Sequence, residues 1–336
     1  MKKAKVAING FGRIGRAFFK LASRRPELEI VAINDLGDKD NLEYLLRYDS
    51  VYGKSSESII SAFREARFLQ ERDPTQLPWS ELGIDIVVES TGVFTSYEKS
   101  KVHLASGAKR VVISAPVKDD PAAAGVTGAT VLMGVNEDRL STCQISSNAS
   151  CTTNAGSPLI GILDAAVGIE KAMLNTVHGY TSTQSVVDGP SGKDPRKGRA
   201  AAVNIIPTST GAAVATTQAH TQLDEKFDGI ALRVPVPAGS IADVTFIAKR
   251  DTTVEEVNAA LIAAVSDPVW KGIFSVTDEQ LVSTDIIGNP HASIADLSMT
   301  RVVGGNLVKV LAWYDNEVGY ANALVEHVIA AGRHVS

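Results

Sequence analysis

KVAINGFGRIGRAFFKLASRR (5–25) decides how the first half of this chain folds. A β-branched run, KVAIN (5–9), passes directly into Gly10-Phe11-Gly12-Arg13-Ile14-Gly15, which opens a helical stretch over 13–25. Each glycine in G-x-G-x-x-G has a physical task. Gly10 permits the tight turn, Gly12 lets the backbone approach a pyrophosphate, and Gly15 allows the helix to lie close on the strand. The helix opening then offers N–H donors to the phosphates. Alone the motif is weak, because any α/β turn can be glycine-rich. Asp35 strengthens it, since it lies twenty residues beyond Gly15 at the end of the next run, EIVAIN (29–34), where an acid can accept hydrogen bonds from a ribose. Its charge repels a 2′-phosphate, which favours NAD over NADP, although an acid in NDLGD also suits a plain turn.

Outward from this unit the alternation continues. A helical stretch over 39–48 is followed by IDIVVES (84–90), a helical stretch near 97–106, KRVVISA (109–115) and ATVLMGV (129–135). Strands alternating with helices predict a doubly wound parallel sheet of six or more strands, an α/β domain over 1–150. After Cys151 the texture changes. Longer strands over 173–182, 229–237, 241–249 and 307–315, with helices near 153–166, 210–222 and 254–265, predict an α+β domain with a mixed or antiparallel sheet over 151–316. A closing helix, 317–336, has apolar positions at helical spacing and is expected to return to the first domain. TSTQSVVDGPSGKDPRKGRAA (181–201) lacks periodicity, and so long a loop in a compact domain is expected to be functional.

The 336-residue length is beyond what one core comfortably holds, which again asks for two domains. A net charge of −5 supplies no overall basic field, so nucleic acid is not an obligatory partner. No apolar run reaches about twenty residues, so no membrane span is expected. The two cysteines, Cys143 and Cys151, build neither a disulfide framework nor a metal quartet, a usage that fits the cytoplasm and no metal.

Cys151 stands in SSNASCTTNAGSP, after a short β-like run and at the start of a helix pattern. A helix N-terminus is expected to lower the thiol pKa and favour the thiolate. A buried inert cysteine is the bland alternative, against which the polar neighbours Asn148, Ser150, Thr152, Thr153 and Asn154 argue. Of six histidines, His178 in NTVHGYT is the natural base, while His103, His220, His291, His327 and His334 read as surface or structural, and Cys143 as packing. Thr181, Thr210, Gly211 and Arg233 combine hydroxyls, a backbone N–H and a guanidinium in a manner that suits a phosphate.

INGFGRIGR, INDL, ESTGVF, SNASCTTN, VDGPSGK, PTSTGAA, LRVPVP and WYDNEVGY, in this order, closely resemble phosphorylating glyceraldehyde-3-phosphate dehydrogenase. The resemblance runs almost end to end. It implies a homotetramer of subunits, each with a Rossmann domain and a catalytic domain, that binds NAD and converts glyceraldehyde 3-phosphate and inorganic phosphate to 1,3-bisphosphoglycerate. It implies Cys151 as nucleophile and His178 as base. Ser150, Thr152, Thr210 and Gly211 would hold the attacking phosphate, Thr181 and Arg233 the substrate phosphate, and Arg199 would add to the anion field. For the cofactor it implies Gly10, Gly12, Arg13, Ile14, Gly15, Asp35, Arg72, Ser114, Asn316 and Tyr320. The loop 181–201 resembles one that lines a neighbouring subunit's cofactor site. Erythrose-4-phosphate dehydrogenase is the nearest enzyme alternative, and a dinucleotide-dependent regulatory or RNA-binding protein the alternative from another class. Three positions depart from the family pattern: Ala155 replaces a frequent cysteine, SSESIISAFREARFLQ (55–70) is shorter and more helical than the usual hairpin, and Val318 replaces an aromatic.

Overall fold

A computed structural model describes residues 3–192 and 194–335. The chain forms two compact units, Met1–Ala149 with Ala321–Ser336, and Ser150–Tyr320. In the first, β1 (Ala4–Asn9), α1 (Arg13–Ala22), β2 (Leu28–Asn34), α2 (Lys39–Arg47), α3 (Glu57–Glu65), β3 (Arg67–Leu69), β4 (Ile86–Glu89), β5 (Arg110–Ile113), β6 (Gly128–Thr130) and β7 (Ile145–Ser147) follow in order. Among the described residues the sheet has seven strands in the order β3-β2-β1-β4-β5-β7-β6, and every pair in it is parallel. Val6, Ala7, Ile8, Ile86, Val87 and Val88 are fully buried, as expected of strands covered on both faces.

The stretch at 55–70 is helical for a packing reason. Ile59, Ile60 and Phe63 share one buried face of α3, and Phe63 stacks on Phe11 at 5.3 Å and meets Phe19 edge-on at 6.2 Å. The chain then returns as β3 to close the sheet edge beside β2. Two stretches differ from expectation. ATVLMGV yields only the three-residue β6, because Val131 N–H makes the last bond to β7, on the Ser147 oxygen, and Leu132 N–H then donates to the Asn136 side chain in a turn. The stretch near 97–106 is two short helical turns, Tyr97–Ser100 and Val102–Ala105.

The second unit begins with α4 (Cys151–Val167) and β8 (Ile169–Gly179). It continues through β9 (Ile206–Ser209), α5 (Ala212–Ala219), β10 (Phe227–Val234), β11 (Ser240–Ala248), α6 (Val254–Val265), β12 (Phe274–Thr277), β13 (Ser293–Val303) and β14 (Leu307–Tyr314). Its seven described strands run β9-β10-β8-β11-β14-β13-β12, mixing parallel and antiparallel pairs. Helices α4, α5 and α6 cover one face. On β8 this buries Ala172, Leu174, Thr176 and His178 while Met173 stays 62% exposed. The loop 181–201 carries the 3-10 turn Pro195–Gly198 and adjoins another, Ala201–Val203, with no strand among its described residues.

The final helix, α7 (Val318–Gly332), is capped by buried Asp315, whose Oδ1 accepts from the N–H groups of Glu317 and Val318. Its residues from Ala321 onward belong to the first unit. Buried His327 on it contacts Ser146 at 2.7 Å and Asn148 at 3.1 Å, and Glu326 pairs with Arg25 at 2.5 Å. The reading of His103, His220 and His327 as surface or structural resolves to structural, since all three are buried and bonded to polar neighbours. Cys143 is buried.

Candidate active site

The first unit carries a cleft of about 360 Å³ at the carboxyl ends of β1, β2 and β4. It is lined by Gly10, Gly12, Asp35 and Arg72, together with Asn9, Asn34, Glu71, Pro74, Thr91 and Phe94. The three glycines separate cleanly. A Cβ on Gly10 would lie 2.6 Å from Thr91 N, and one on Gly15 would lie 2.1 Å from the Gly10 oxygen, so the chain's own packing demands both. A Cβ on Gly12, the residue that caps α1, would meet nothing of this chain within 4 Å, so that face of the turn is open to close approach by an outside group. Asp35 borders the same space, its Oδ2 accepting from Phe11 N–H at 2.6 Å and its Oδ1 from Gly37 N–H at 2.8 Å. It therefore turns the chain and also presents its carboxylate to the cleft. These residues fit a dinucleotide.

Arg13 is held by Asp49 at 2.8 Å and lies over the Tyr52 ring, 5.6 Å from its centroid. Ile14 lies in the first turn of α1, and Ser114 follows β5 with its N–H on the Glu89 oxygen. Asn316 and Tyr320 belong to the second unit, where the Asn316 amide oxygen accepts from Ser240 Oγ at 2.9 Å.

Sequence reasoning missed the floor of this cleft. Buried Glu89 accepts from Asn9 Nδ2 at 2.6 Å, from Thr91 N–H at 2.8 Å and from the Thr91 hydroxyl, and meets His103 Nε2 at 3.2 Å. Trp79 Nε1–H donates to His103 Nδ1 at 3.1 Å, which places the ring's proton on Nε2, toward Glu89. Asn34 Nδ2 donates to Asn9 Oδ1 and to the Glu71 oxygen, while Asn34 Oδ1 accepts from Glu71 N–H. The available signal was the Ile-Asn pair ending both of the first two strands.

The chain reaches the thiol through a strained turn just before the second unit begins. Ala149 has φ +54°, a left-handed conformation that costs a non-glycine residue about 1 kcal/mol or more. Ser150 then caps α4, its Oγ accepting from Thr153 N–H at 3.0 Å, and Cys151 is the first helical residue. Cys151 Sγ lies 3.3 Å from His178 Nε2. On the far side of the ring, His178 Nδ1 lies 2.6 Å from the Gly179 oxygen and 2.7 Å from Arg233 Nη1. The carbonyl can only accept and the guanidinium can only donate, so they make opposite demands on Nδ1. Arg233 Nη1–H also donates to the Gly179 oxygen at 3.1 Å, and with Arg233 satisfied there Nδ1 carries the proton and Nε2 turns a lone pair toward the sulfur. Adjacent parallel strands set this up, because His178 on β8 pairs in register with Arg233 on β10.

The expectation of a lowered thiol pKa is corrected here. Burial pushes the Cys151 thiol up, outweighing the Arg233 charge and the Thr152 hydroxyl and N–H that favour the thiolate. Burial, with the Arg233 charge second, pushes His178 down to about 3. The resting pair is a thiol beside a neutral imidazole, with the lone pair already aimed.

Of the phosphate residues, Ser150 and Thr152 flank the thiol and Arg233 adjoins its histidine. Thr181 lies two residues beyond β8, its Oγ1 2.9 Å from Thr183 Oγ1. Thr210 and Gly211 open α5, with Thr210 Oγ1 accepting from Ala212 N–H at 3.1 Å, and α5 packs on α4. Arg199 is paired at the surface. Its Nε donates to Asp188 at 2.8 Å, and Asp188 also accepts from Ala200 N–H, so this exposed pair helps close the loop.

Comparison with known proteins bears on both units. Residues 4–97 match the family described as glyceraldehyde 3-phosphate dehydrogenase, NAD binding domain, and residues 150–316 match its C-terminal domain. A glyceraldehyde-3-phosphate dehydrogenase of Streptomyces coelicolor is 46% identical over 98% of this chain and 99% of the relative. Glyceraldehyde-3-phosphate dehydrogenase 1 of Streptomyces arenae is 48% identical over 96% of each. The Mycolicibacterium smegmatis protein of the same name is 44% identical over 98% of each.

Proposed function

The chain belongs to the glyceraldehyde 3-phosphate dehydrogenase family, and on that premise we propose that it oxidises glyceraldehyde 3-phosphate with NAD and captures the acyl group with inorganic phosphate as 1,3-bisphosphoglycerate. The observation that carries this reading is Cys151 Sγ at 3.3 Å from a His178 nitrogen whose other face is fixed by Gly179.

The chemistry follows from those atoms. As the sulfur attacks the aldehyde carbon, Nε2 takes the thiol proton and returns it to the developing alkoxide, giving a hemithioacetal. The imidazolium forms only during reaction, since its low pKa makes it a ready proton donor again. Nε2 next withdraws the hydroxyl proton of the hemithioacetal, and bound NAD supplies the hydride acceptor. The resulting thioester keeps the acyl group activated. An oxygen of inorganic phosphate attacks it, the C–S bond breaks, and the thiol regains its proton through His178. Ser150, Thr152, Thr210 and Gly211 are assigned to the attacking phosphate, and Thr181 and Arg233 to the substrate phosphate. Arg199, whose Nε pairs with the exposed Asp188, is assigned to the surrounding anion field. Arg13, Ile14, Gly15, Asp35, Arg72 and Ser114 are assigned to the cofactor with Gly10 and Gly12, and Asn316 and Tyr320 to its nicotinamide side.

NADH formation from glyceraldehyde 3-phosphate tests the reading. Steady turnover is expected to require inorganic phosphate and to be weak with NADP, whose 2′-phosphate the Asp35 carboxylate opposes. Sustained turnover without phosphate would instead indicate hydrolysis of the thioester by water, the chemistry of erythrose-4-phosphate dehydrogenase.

Among the described residues no helix is long and apolar enough to cross a membrane. We assign the protein to the cytoplasm, on its cysteine usage, and to a homotetramer. The bare sheet face exposing Met173, Ile230 and Leu307, and the loop exposing Val186 and Val187, support assembly. A monomer in sedimentation at micromolar concentration would refute the tetramer.

A further inference from the structure

We propose that Ser240 is the positioning residue that aims the Asn316 amide, its hydroxyl holding the amide oxygen so that only nitrogen donors are presented to the nicotinamide side of the cofactor. The proposal rests on the reading that assigns Asn316 to that side. Ser240 opens β11 and pairs in register with Tyr314, the last residue of β14 and two residues before Asn316. Both Ser240 and Asn316 are buried. The backbone beneath the amide is pinned by its neighbour Asp315, which accepts from Gly288 N–H at 2.7 Å and caps α7.

The direction of the amide follows from where hydrogens can go. A serine hydroxyl has a single hydrogen to give. Gly179 N–H, which can only donate, lies 3.1 Å from Ser240 Oγ, so the oxygen accepts there. Its own hydrogen then has one acceptor among the described residues, the Asn316 side chain at 2.9 Å. An amide nitrogen does not accept, so the atom facing Ser240 is Oδ1. Turning the amide over would leave the buried serine hydrogen unpaired. Nδ2 lies on the other side of the amide, where it meets no partner among the described residues. The same anchor serves the base, since Gly179 also supplies the carbonyl oxygen that His178 Nδ1 meets at 2.6 Å. A carboxamide offers an oxygen that accepts and an NH2 group that donates, and an amide aimed as Asn316 is selects the oxygen.

Two dinucleotide analogues separate the two ends of the carboxamide. Acetylpyridine adenine dinucleotide keeps the carbonyl oxygen and has no NH2 group, whereas thionicotinamide adenine dinucleotide keeps the NH2 group and carries sulfur, a weak acceptor, in place of the oxygen. Isothermal titration calorimetry of the full chain gives the dissociation constant of each. The unsubstituted chain is expected to bind the acetyl analogue within about threefold of NAD and the thio analogue about 3- to 10-fold more weakly than the acetyl one. Ser240→Ala frees the amide to turn over, and the two analogues should then bind within about twofold of each other. A role for Ser240 confined to folding would weaken every dinucleotide together and keep their order, and that result overturns the proposal. So does a thio analogue that binds the unsubstituted chain as tightly as the acetyl one. If Ser240→Ala does not fold by circular dichroism, Ser240→Cys, close in size and a weaker donor, decides in its place, with a narrowed gap between the analogues supporting the proposal and an unchanged gap overturning it. Should the unsubstituted chain bind none of the three dinucleotides, the cofactor reading falls and the proposal with it.

Discussion

Cys151→Ala is expected to lower kcat/KM for glyceraldehyde 3-phosphate by at least about 10⁴-fold, because no other side chain in the site can form the thioester. That factor corresponds to about 5.5 kcal/mol of lost transition-state stabilisation. Thermal stability should change by no more than about 1 kcal/mol, since the substitution removes a single sulfur atom that meets a neutral imidazole. His178→Asn is expected to cost about 10²- to 10⁴-fold, the usual worth of a positioned base. It should also slow alkylation of Cys151, because Nε2 no longer receives the thiol proton. The two losses should not add, since each disables the same proton transfer, and the double variant should resemble Cys151→Ala. A Cys151→Ala enzyme retaining a tenth of the activity would remove covalent catalysis from the reaction.

Acidification is expected to destabilise the native state more steeply than carboxylates alone would bring about. His178 and His327 are both pushed down to about 3 by burial, and burial lowers His220 as well. The unfolded chain therefore binds protons that the folded one refuses, and stability falls as pH drops from about 6.5 toward 3. At pH 5, which is 1.5 pH units below the ordinary imidazole value, each of the two costs about 2 kcal/mol at 1.36 kcal/mol per unit. His327→Gln keeps a donor and an acceptor for Asn148 and Ser146 but cannot titrate. Its unfolding free energy should vary less between pH 7 and pH 5, by about 2 kcal/mol. Parallel pH curves for the variant and the unsubstituted chain would refute the assignment.

Much of the fold was legible where local signals agree with burial. The first strand, its glycines and α1 could be read because strand period, turn residues and helix period follow one another without a gap. The strand β13 escaped notice, because SIADLSMTRVV mixes apolar residues with Asp296, whose carboxylate is buried by accepting from Trp313 Nε1 at 3.0 Å, a partner seventeen residues away. ATVLMGV misled in the opposite direction, since apolar content does not reveal where a ladder stops. At the site, residue types pointed to Cys151 and His178, but the direction of the thiol pKa did not follow from them. A helix N-terminus argues one way and burial the other, and only the packed structure says how deep the sulfur lies. Arg199 shows the same limit, because its charge was visible in sequence and its pairing with Asp188 was not.

The floor of the dinucleotide cleft is wired in one direction. Donation runs from Trp79 to His103 to Glu89, and from Asn34 to Asn9 to Glu89, so two lines of N–H groups converge on a single carboxylate. Size and shape are thus poor guides to what these positions tolerate. Asp has nearly the volume of Asn, yet at position 34 it would set its oxygens against the Asn9 and Glu71 carbonyls, acceptor against acceptor. For this part of the protein the conserved quantity is an arrow rather than a volume, and a substitution is conservative only if it points the same way.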